Sequence, residues 1–160
     1  MKRVLTIQDI SGVGKCSLTE ALPIISAAGI ECAVLPTTVL STHTAFEGFT
    51  FHDLTDDMPG IADHWAALGM EFSSIYTGYL GSTEQIDYVE NIFDTMIRPA
   101  GKIIVDPAMA DNGKLYPAFD QAYVDAMVRL VSKADVVLPN LTEACFLTGT
   151  EYHENYDKAF

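Results

Sequence analysis

Positive charge is scarce in this chain: nine Lys and Arg stand against 22 Asp and Glu, a net charge of −13. Nonspecific binding to nucleic acid runs on Lys and Arg contacts to phosphate, so that class is excluded. A nucleotide ligand is not, because backbone N–H groups, helix N-termini and a metal ion can hold one. No apolar run reaches the roughly 18 residues that a membrane span needs. The apolar stretch behind Met1-Lys2-Arg3 is only Val4 to Ile7, too short for a signal peptide. It reads as a first strand, and the expected location is the cytoplasm. The three cysteines, Cys16, Cys32 and Cys145, are widely spaced with no C-x-x-C, which argues against a disulfide framework or a zinc site and for buried free thiols. There is no internal repeat and no low-complexity segment. What is present is a chain of 160 residues, 49% of them hydrophobic, enough for one domain with a real core.

Strand and helix signals alternate. Strands are expected at Arg3 to Gln8, Glu31 to Val39, Phe72 to Thr77, Lys102 to Asp106 and Asp135 to Leu138. Pro36 should force an edge or a bulge in the second. The fourth is apolar enough to be buried on both faces. Helices are expected at Ser17 to Ala28 with a kink at Pro23, Ile61 to Leu68, Ser82 to about Ile97, Asp120 to Ser132, and from Thr142 to Gly149. Gly29, Gly69 and Gly149 stand where helices stop, and Ser82 with Gln85 has capping-box spacing. The polar stretch Leu40 to Pro59 is a functional connection or a small substructure. Residues 151–160 read as a loop entering a further helix at 156–160, as if the chain continued. Five strand–helix units imply an α/β fold: three layers, α/β/α, around a mostly parallel sheet covered on both faces.

In such sheets ligands bind beyond the carboxyl ends of the strands, and five polar segments fall there. Gly12-Val13-Gly14-Lys15-Cys16-Ser17 looks like a P-loop, but Asp9 stands where the first Gly should be and Cys16 follows the Lys. Ser41-Thr42-His43-Thr44 could hydrogen-bond a polar ring or simply cap a loop. Thr77-Gly78-Tyr79-Leu80-Gly81 could turn a ring toward a pocket or pack in the core. Asp106-Pro107 ends the expected buried strand, and its carboxylate could hold magnesium beside phosphates or cap the loop. Asn140-Leu141-Thr142-Glu143 could cap a helix, or its Glu143 could reach a metal through water.

In order, IQDISGVGKCS, TTVLSTHT, YTGYLGS, VDPAMADNGKLY and LPNLTEA resemble the pyridoxal/pyridoxamine kinases of the ribokinase superfamily, across essentially the whole chain. The resemblance implies a ribokinase-like fold and transfer of the ATP γ-phosphoryl, with Mg2+, to the 5′-hydroxymethyl group of a B6 vitamer. It assigns Asp9, Thr38, His43, Thr44 and Tyr79 to the ring. Asp106, Asp111, Tyr116 and Asn140 go to the nucleotide, and Glu143 with Asp106 to the metal. Asp9 is a departure, because relatives usually carry a serine there; an aspartate favours a protonated ring nitrogen or a charged amine. The family commonly forms homodimers, with Leu40 to Pro59 a contact region.

The family's catalytic base lies in a Gly-x-Gly-Asp loop, and no such tetrad occurs in these 160 residues. Without that base and its anion hole, this chain alone is expected to be a poor kinase, and the base is expected beyond Phe160, in about another 100 residues. Three alternatives stand beside this reading. One is a hydroxymethylpyrimidine kinase and another a non-catalytic ligand-binding remnant. The third, a P-loop NTPase, is the weakest.

Overall fold

The computed structural model describes residues 2–153; the helix expected at 156–160 lies outside them. Five strand–helix units are present. The elements are β1 (Arg3–Ser11), α1 (Leu18–Ala27), β2 (Glu31–Leu40), β3 (Phe51–Asp53), α2 (Met58–Ala67), β4 (Phe72–Thr77), α3 (Thr83–Met96), β5 (Ile97–Val105), β6 (Ala110–Asp111), β7 (Lys114–Leu115), α4 (Gln121–Ser132), β8 (Val136–Val137) and α5 (Leu141–Thr148). The main sheet runs β3-β2-β1-β4-β5-β8. Only β3 is antiparallel in it.

The helices form where apolar residues recur at helical spacing. On α3, Gln85, Ile86, Val89, Ile92, Phe93 and Met96 are buried, and on α4 Tyr123, Val124, Ala126, Met127 and Leu130. They close on Leu5, Ile7, Ile75 and Val105 of the sheet to make one core. Each such large apolar side chain contributes about 1.5–3 kcal/mol by burial. Ser82 caps α3, accepting from the Gln85 N–H at 3.2 Å, and Asp120 caps α4 through Tyr123 N–H at 3.0 Å.

Several expectations are corrected. β1 runs on to Ser11, because its pairing with β2 resumes at Ile10–Val39 after a bulge. α2 begins at Met58, with Pro59 in its first turn, where the missing N–H has no helical partner to lose. As expected, α1 contains Pro23. β5 begins directly behind α3 at Ile97, and β8 is only two residues long. Leu40–Pro59 holds a small substructure, one of the two expected outcomes: the short edge strand β3 and a 3-10 turn. The Ser82 capping box is half formed, since the Gln85 side chain accepts from Gly81 N–H at 2.7 Å rather than from Ser82.

Helices lie on both faces of the sheet, as expected, but cover them unequally. Leu5, Ile7, Ile75 and Val105 face α2, α3 and α4. The other face carries Val4, Ser74, Tyr76 and Ile104, and these line an open cleft of about 520 Å³ with Glu20, Ile24 and Ile25 of α1. Helix α1 lies on β1 and β2, so β5 is half-buried rather than covered on both sides.

Candidate active site

Strand β1 sits between β2 and β4. The chain steps from β1 to one neighbour and returns to the other, so the connections beyond β1 and β4 part and open a crevice, as at the switch point of other open α/β sheets. Strand ends, the loops behind them and the first turns of the following helices supply the groups placed there.

The first group surrounds Asp9. The bulge opposite it falls between Gln8–Pro36 and Ile10–Val39, which sets Thr37 and Thr38 across from Asp9. Pro36, which lacks an N–H, stands at that break. The Asp9 carboxylate is buried and accepts from Ser11 Oγ at 3.1 Å. Thr37 Oγ1 donates to the Tyr79 carbonyl at 3.0 Å. Burial pushes the Tyr79 phenol up, and Asp9, Asp53 and Tyr116 add to the shift, so these groups stand within electrostatic reach. Thr38 Oγ1 and Thr77 Oγ1 are buried without a hydrogen-bond partner among the described residues.

Gln85 ties this group together. Wholly buried, it offers Nε2 to Thr37 O at 3.1 Å, Asp53 Oδ1 at 3.2 Å and Thr55 Oγ1 at 2.8 Å. Burial raises the Asp53 pKa, but the hydrogen bonds from Thr55, Gln85 and Leu54 outweigh it and hold the carboxyl below its usual value. A Cβ on Gly78 would meet Gln8 Oε1 at 2.9 Å, so a side chain there would require the buried Gln8 to shift.

His43 and Thr44 sit on a separate loop anchored to the glycine turn. Gly12 N–H donates to Leu40 O at 2.9 Å and His43 N–H to Val13 O at 3.1 Å. A Cβ on Gly14, whose φ is 125°, would lie 2.0 Å from His43 Cδ2, so the His43 ring requires glycine. His43 Nδ1 accepts from Ala45 N–H at 3.2 Å, and Thr44 is exposed. The structure thus brings Asp9, Thr38 and Tyr79 together, while His43 and Thr44 join them only through the glycine turn.

The second group surrounds Tyr116. Burial raises its phenol, with Glu143, Asp111 and Asp106 contributing. Burial likewise raises Asp106. No ion pair or side-chain hydrogen bond among the described residues involves the Asp106 carboxylate. It lines the open cleft with Gln8, Gly78, Tyr79 and Ala108. Glu143 differs. Its Oε2 accepts from Asn140 N–H at 2.8 Å and its Oε1 from Met109 N–H at 3.2 Å. Burial raises its pKa against the pull of these N–H groups. Asn140 Oδ1 accepts from Glu143 N–H at 2.9 Å, and Nδ2 donates to Ala110 O at 2.8 Å. The capping reading of this pair is therefore realised in full. Asp111 is exposed and accepts from Asn112 N–H.

Among the described residues no three His, Cys, Asp or Glu groups converge on a metal position. Magnesium needs fewer, since it keeps several waters and takes one or two carboxylates. Asp106, half-buried and uncompensated, fits that role; Glu143 fits only through water, its oxygens being occupied by backbone.

A run of aromatic rings joins the two groups, and the sequence pattern did not suggest it. Tyr79 lies 5.7 Å from Phe119, Phe119 stacks on Tyr123 at 3.7 Å, and Tyr116 lies 6.2 Å from Phe119. Tyr123 donates to Leu80 O at 2.7 Å. Asp53 was missed as well, Thr77 was singled out only as the head of its motif, and Gln85 only as a capping residue. Asp53-Leu54-Thr55 has an Asx-turn spacing that could have flagged the first. The hairpin β6–β7 was signalled by Asn112-Gly113, whose φ values of 51° and 75° suit a tight two-residue turn.

The fold and these strand-end groups define an α/β protein with a switch-point crevice. Residues 25–159 match the family model described as phosphomethylpyrimidine kinase, and the chain belongs to this kinase family, which is ribokinase-like and includes pyridoxal kinases. A Bacteroides thetaiotaomicron structure described as a phosphomethylpyrimidine kinase, in a crystal form with pyridoxal, is 46% identical with a TM-score of 0.90, over 95% of this chain and 53% of that one. Pyridoxal kinase from Lactobacillus plantarum is 38% identical with a TM-score of 0.90, over 96% and 55%. Pyridoxal kinase from Dictyostelium discoideum is 28% identical over 97% of this chain and 53% of its own length. The chain spans about half the length of these relatives.

Proposed function

We propose that this chain carries the ring-binding and phosphate-side parts of a B6-vitamer kinase, an enzyme of B6 salvage that moves the ATP γ-phosphoryl to the 5′-hydroxymethyl group of pyridoxal, pyridoxine or pyridoxamine. The observation that carries the reading is that Tyr79 and Asp106 line one cleft at the switch point. Asp9 and Thr38 stand on the ring side of Tyr79. Asp111, Tyr116, Asn140 and Glu143 stand on the Asp106 side. In this reading Asp106 holds Mg2+, with Glu143 acting through water. The ion supplies charge neutralisation for the phosphates. Asn140 and Glu143 act by holding the 106–110 loop in place. His43 and Thr44 close over the ring from the glycine turn.

The resemblance puts the base in a Gly-x-Gly-Asp loop that these 160 residues lack, so the reading assigns binding to this chain and expects weak turnover from it. A homodimer is part of the proposal, supported by exposed Phe46, Phe49 and Phe51 around the edge strand β3; so is a cytoplasmic location. Among the described residues no helix is long and apolar enough to cross a membrane.

A second reading is favoured by the matching family description: a hydroxymethylpyrimidine kinase on the same scaffold. The test is a panel of pyridoxal, pyridoxine, pyridoxamine and hydroxymethylpyrimidine with MgATP, with binding read by calorimetry and phosphorylated product by mass spectrometry. Binding of a B6 vitamer ahead of the pyrimidine is expected. Preference for the pyrimidine would replace the first reading with the second, and binding of no ring would sink both.

A further inference from the structure

The ring side has a feature that its assignment to a ring does not explain. Asp9 is 5% exposed, and no ion pair among the described residues includes it. One hydrogen bond, from Ser11, reaches its carboxylate. The groups around it are neutral or acidic. From β2 come Thr37 and Thr38, from β3 Asp53, from β4 Thr77, and from the turn behind β4 Tyr79, on which Asp9 and Asp53 act together. The two cations nearest in sequence are engaged or turned to solvent: Arg3 pairs with Glu31 at 2.8 Å, and Lys15 is exposed in the glycine turn. A buried carboxylate is costly without a cation or a full set of donors.

A second, independent observation points to a ligand at the same place. Thr38 and Thr77 are 0% exposed, on the two strands that flank β1, and neither hydroxyl has a partner among the described residues. Buried hydroxyls are nearly always paired. Each can donate or accept, so together they suit the polar edge of a ring, while the carboxylate asks for positive charge.

We infer that Asp9 makes this a site for a cationic ring ligand, bound with a positively charged nitrogen, on the ring or on an amine attached to it, against the Asp9 carboxylate and between the Thr38 and Thr77 hydroxyls. The inference rests on the ring-binding reading above and adds the charge state of what is bound. A neutral ring of the same shape leaves the carboxylate uncompensated and binds more weakly.

The test compares two pairs of probes by calorimetry. The first is pyridoxine against its benzene isostere, with CH in place of the ring nitrogen. The second is pyridoxamine against pyridoxine. The native protein is expected to favour the charged member of at least one pair by about tenfold or more, and Asp9→Asn and Asp9→Ser to lose that preference. Equal binding within both pairs, or a preference that survives both substitutions, overturns the inference while leaving the ring reading intact. Binding of no probe removes the ring reading and the inference with it. A ligand-free readout guards against misfolding. Asp9→Asn should melt above the native protein, because a lone buried charge is gone. Melting below it would mean that the fold itself uses that charge, which also overturns the inference.

Discussion

Two carboxylates at the same end of the sheet, Glu143 buried and Asp106 half-buried, are treated in opposite ways. Glu143 has both oxygens engaged by backbone N–H groups of Asn140 and Met109. Asp106, on the loop that Glu143 holds, has no such partner and lines the open cleft. Burial raises both, but only in Glu143 do hydrogen bonds pull the other way. A carboxylate with both oxygens held by backbone N–H groups chiefly serves the chain. One left uncompensated at the mouth of a cleft is available to something else. On the ring side, Gln85 with its bonds to Thr37, Asp53, Thr55 and Gly81 belongs to the first kind, and Thr38 and Thr77 to the second.

The contrast can be broken by substitution. The largest effect is expected from Glu143→Ala, which strips the capping box of α5 and orphans Met109 N–H. Stability should fall by about 3 kcal/mol in a urea titration, and phosphate-side binding should weaken with it as the 106–110 loop loosens. Gln85→Leu comes next. It leaves Asp53, Thr55 and the Thr37 carbonyl short of a donor inside the protein, at about 2 kcal/mol. Ring binding should drop while nucleotide binding holds, as two separate titrations would reveal. Asp120→Ala removes the α4 cap at a residue that does not line the cleft and should cost about 1 kcal/mol without changing either affinity; a change in either would mean that this cap is coupled to the site through Phe119 and Tyr123.

Asp106→Asn should have the smallest effect on stability and the opposite sign. Because burial raises the Asp106 pKa, the native state favours the protonated form. That advantage is full below the ordinary carboxylate pKa and is lost as pH rises through the raised value. At neutral pH the asparagine variant should therefore be slightly more stable, by under about 1 kcal/mol after allowing for the solvent that reaches this half-buried group. Magnesium-dependent nucleotide binding should be lost. The gain in stability should vanish in acid, where the native carboxyl is protonated too; melting curves at neutral and acid pH check the sign.

Much of this was legible beforehand, and the reasons are local. Phe72–Thr77 was readable to the residue because it is a short β-rich run between turn signals. Helices α3 and α4 were readable from apolar spacing, and α1, α2 and α5 from the glycines that end them. Asn140 with Glu143 had capping-box spacing, and the structure forms that box. Strand lengths were less legible. β1 and β5 overran their expected limits and β8 fell short, because a strand ends where its neighbour stops pairing rather than where its own residues change. Pro36 signalled a bulge, but that the bulge would set two threonines across from Asp9 depended on the register with β1.

By itself, then, the sequence determined the alternation of strands and helices, the caps and stops, the family likeness, and which strand ends carry polar residues. These depend on contacts a few residues apart, or on motifs kept in order. Tertiary structure decided which polar groups meet and which stay unpartnered. It set Gln85 against Thr37, Asp53 and Thr55 from 48, 32 and 30 positions away, stacked Phe119 into the line from Tyr79 to Tyr116, and left Asp9 and Asp106 without a cation among the described residues. Whether a buried charge is satisfied depends on donors that arrive from distant strands, and only the folded arrangement brings them close enough to count.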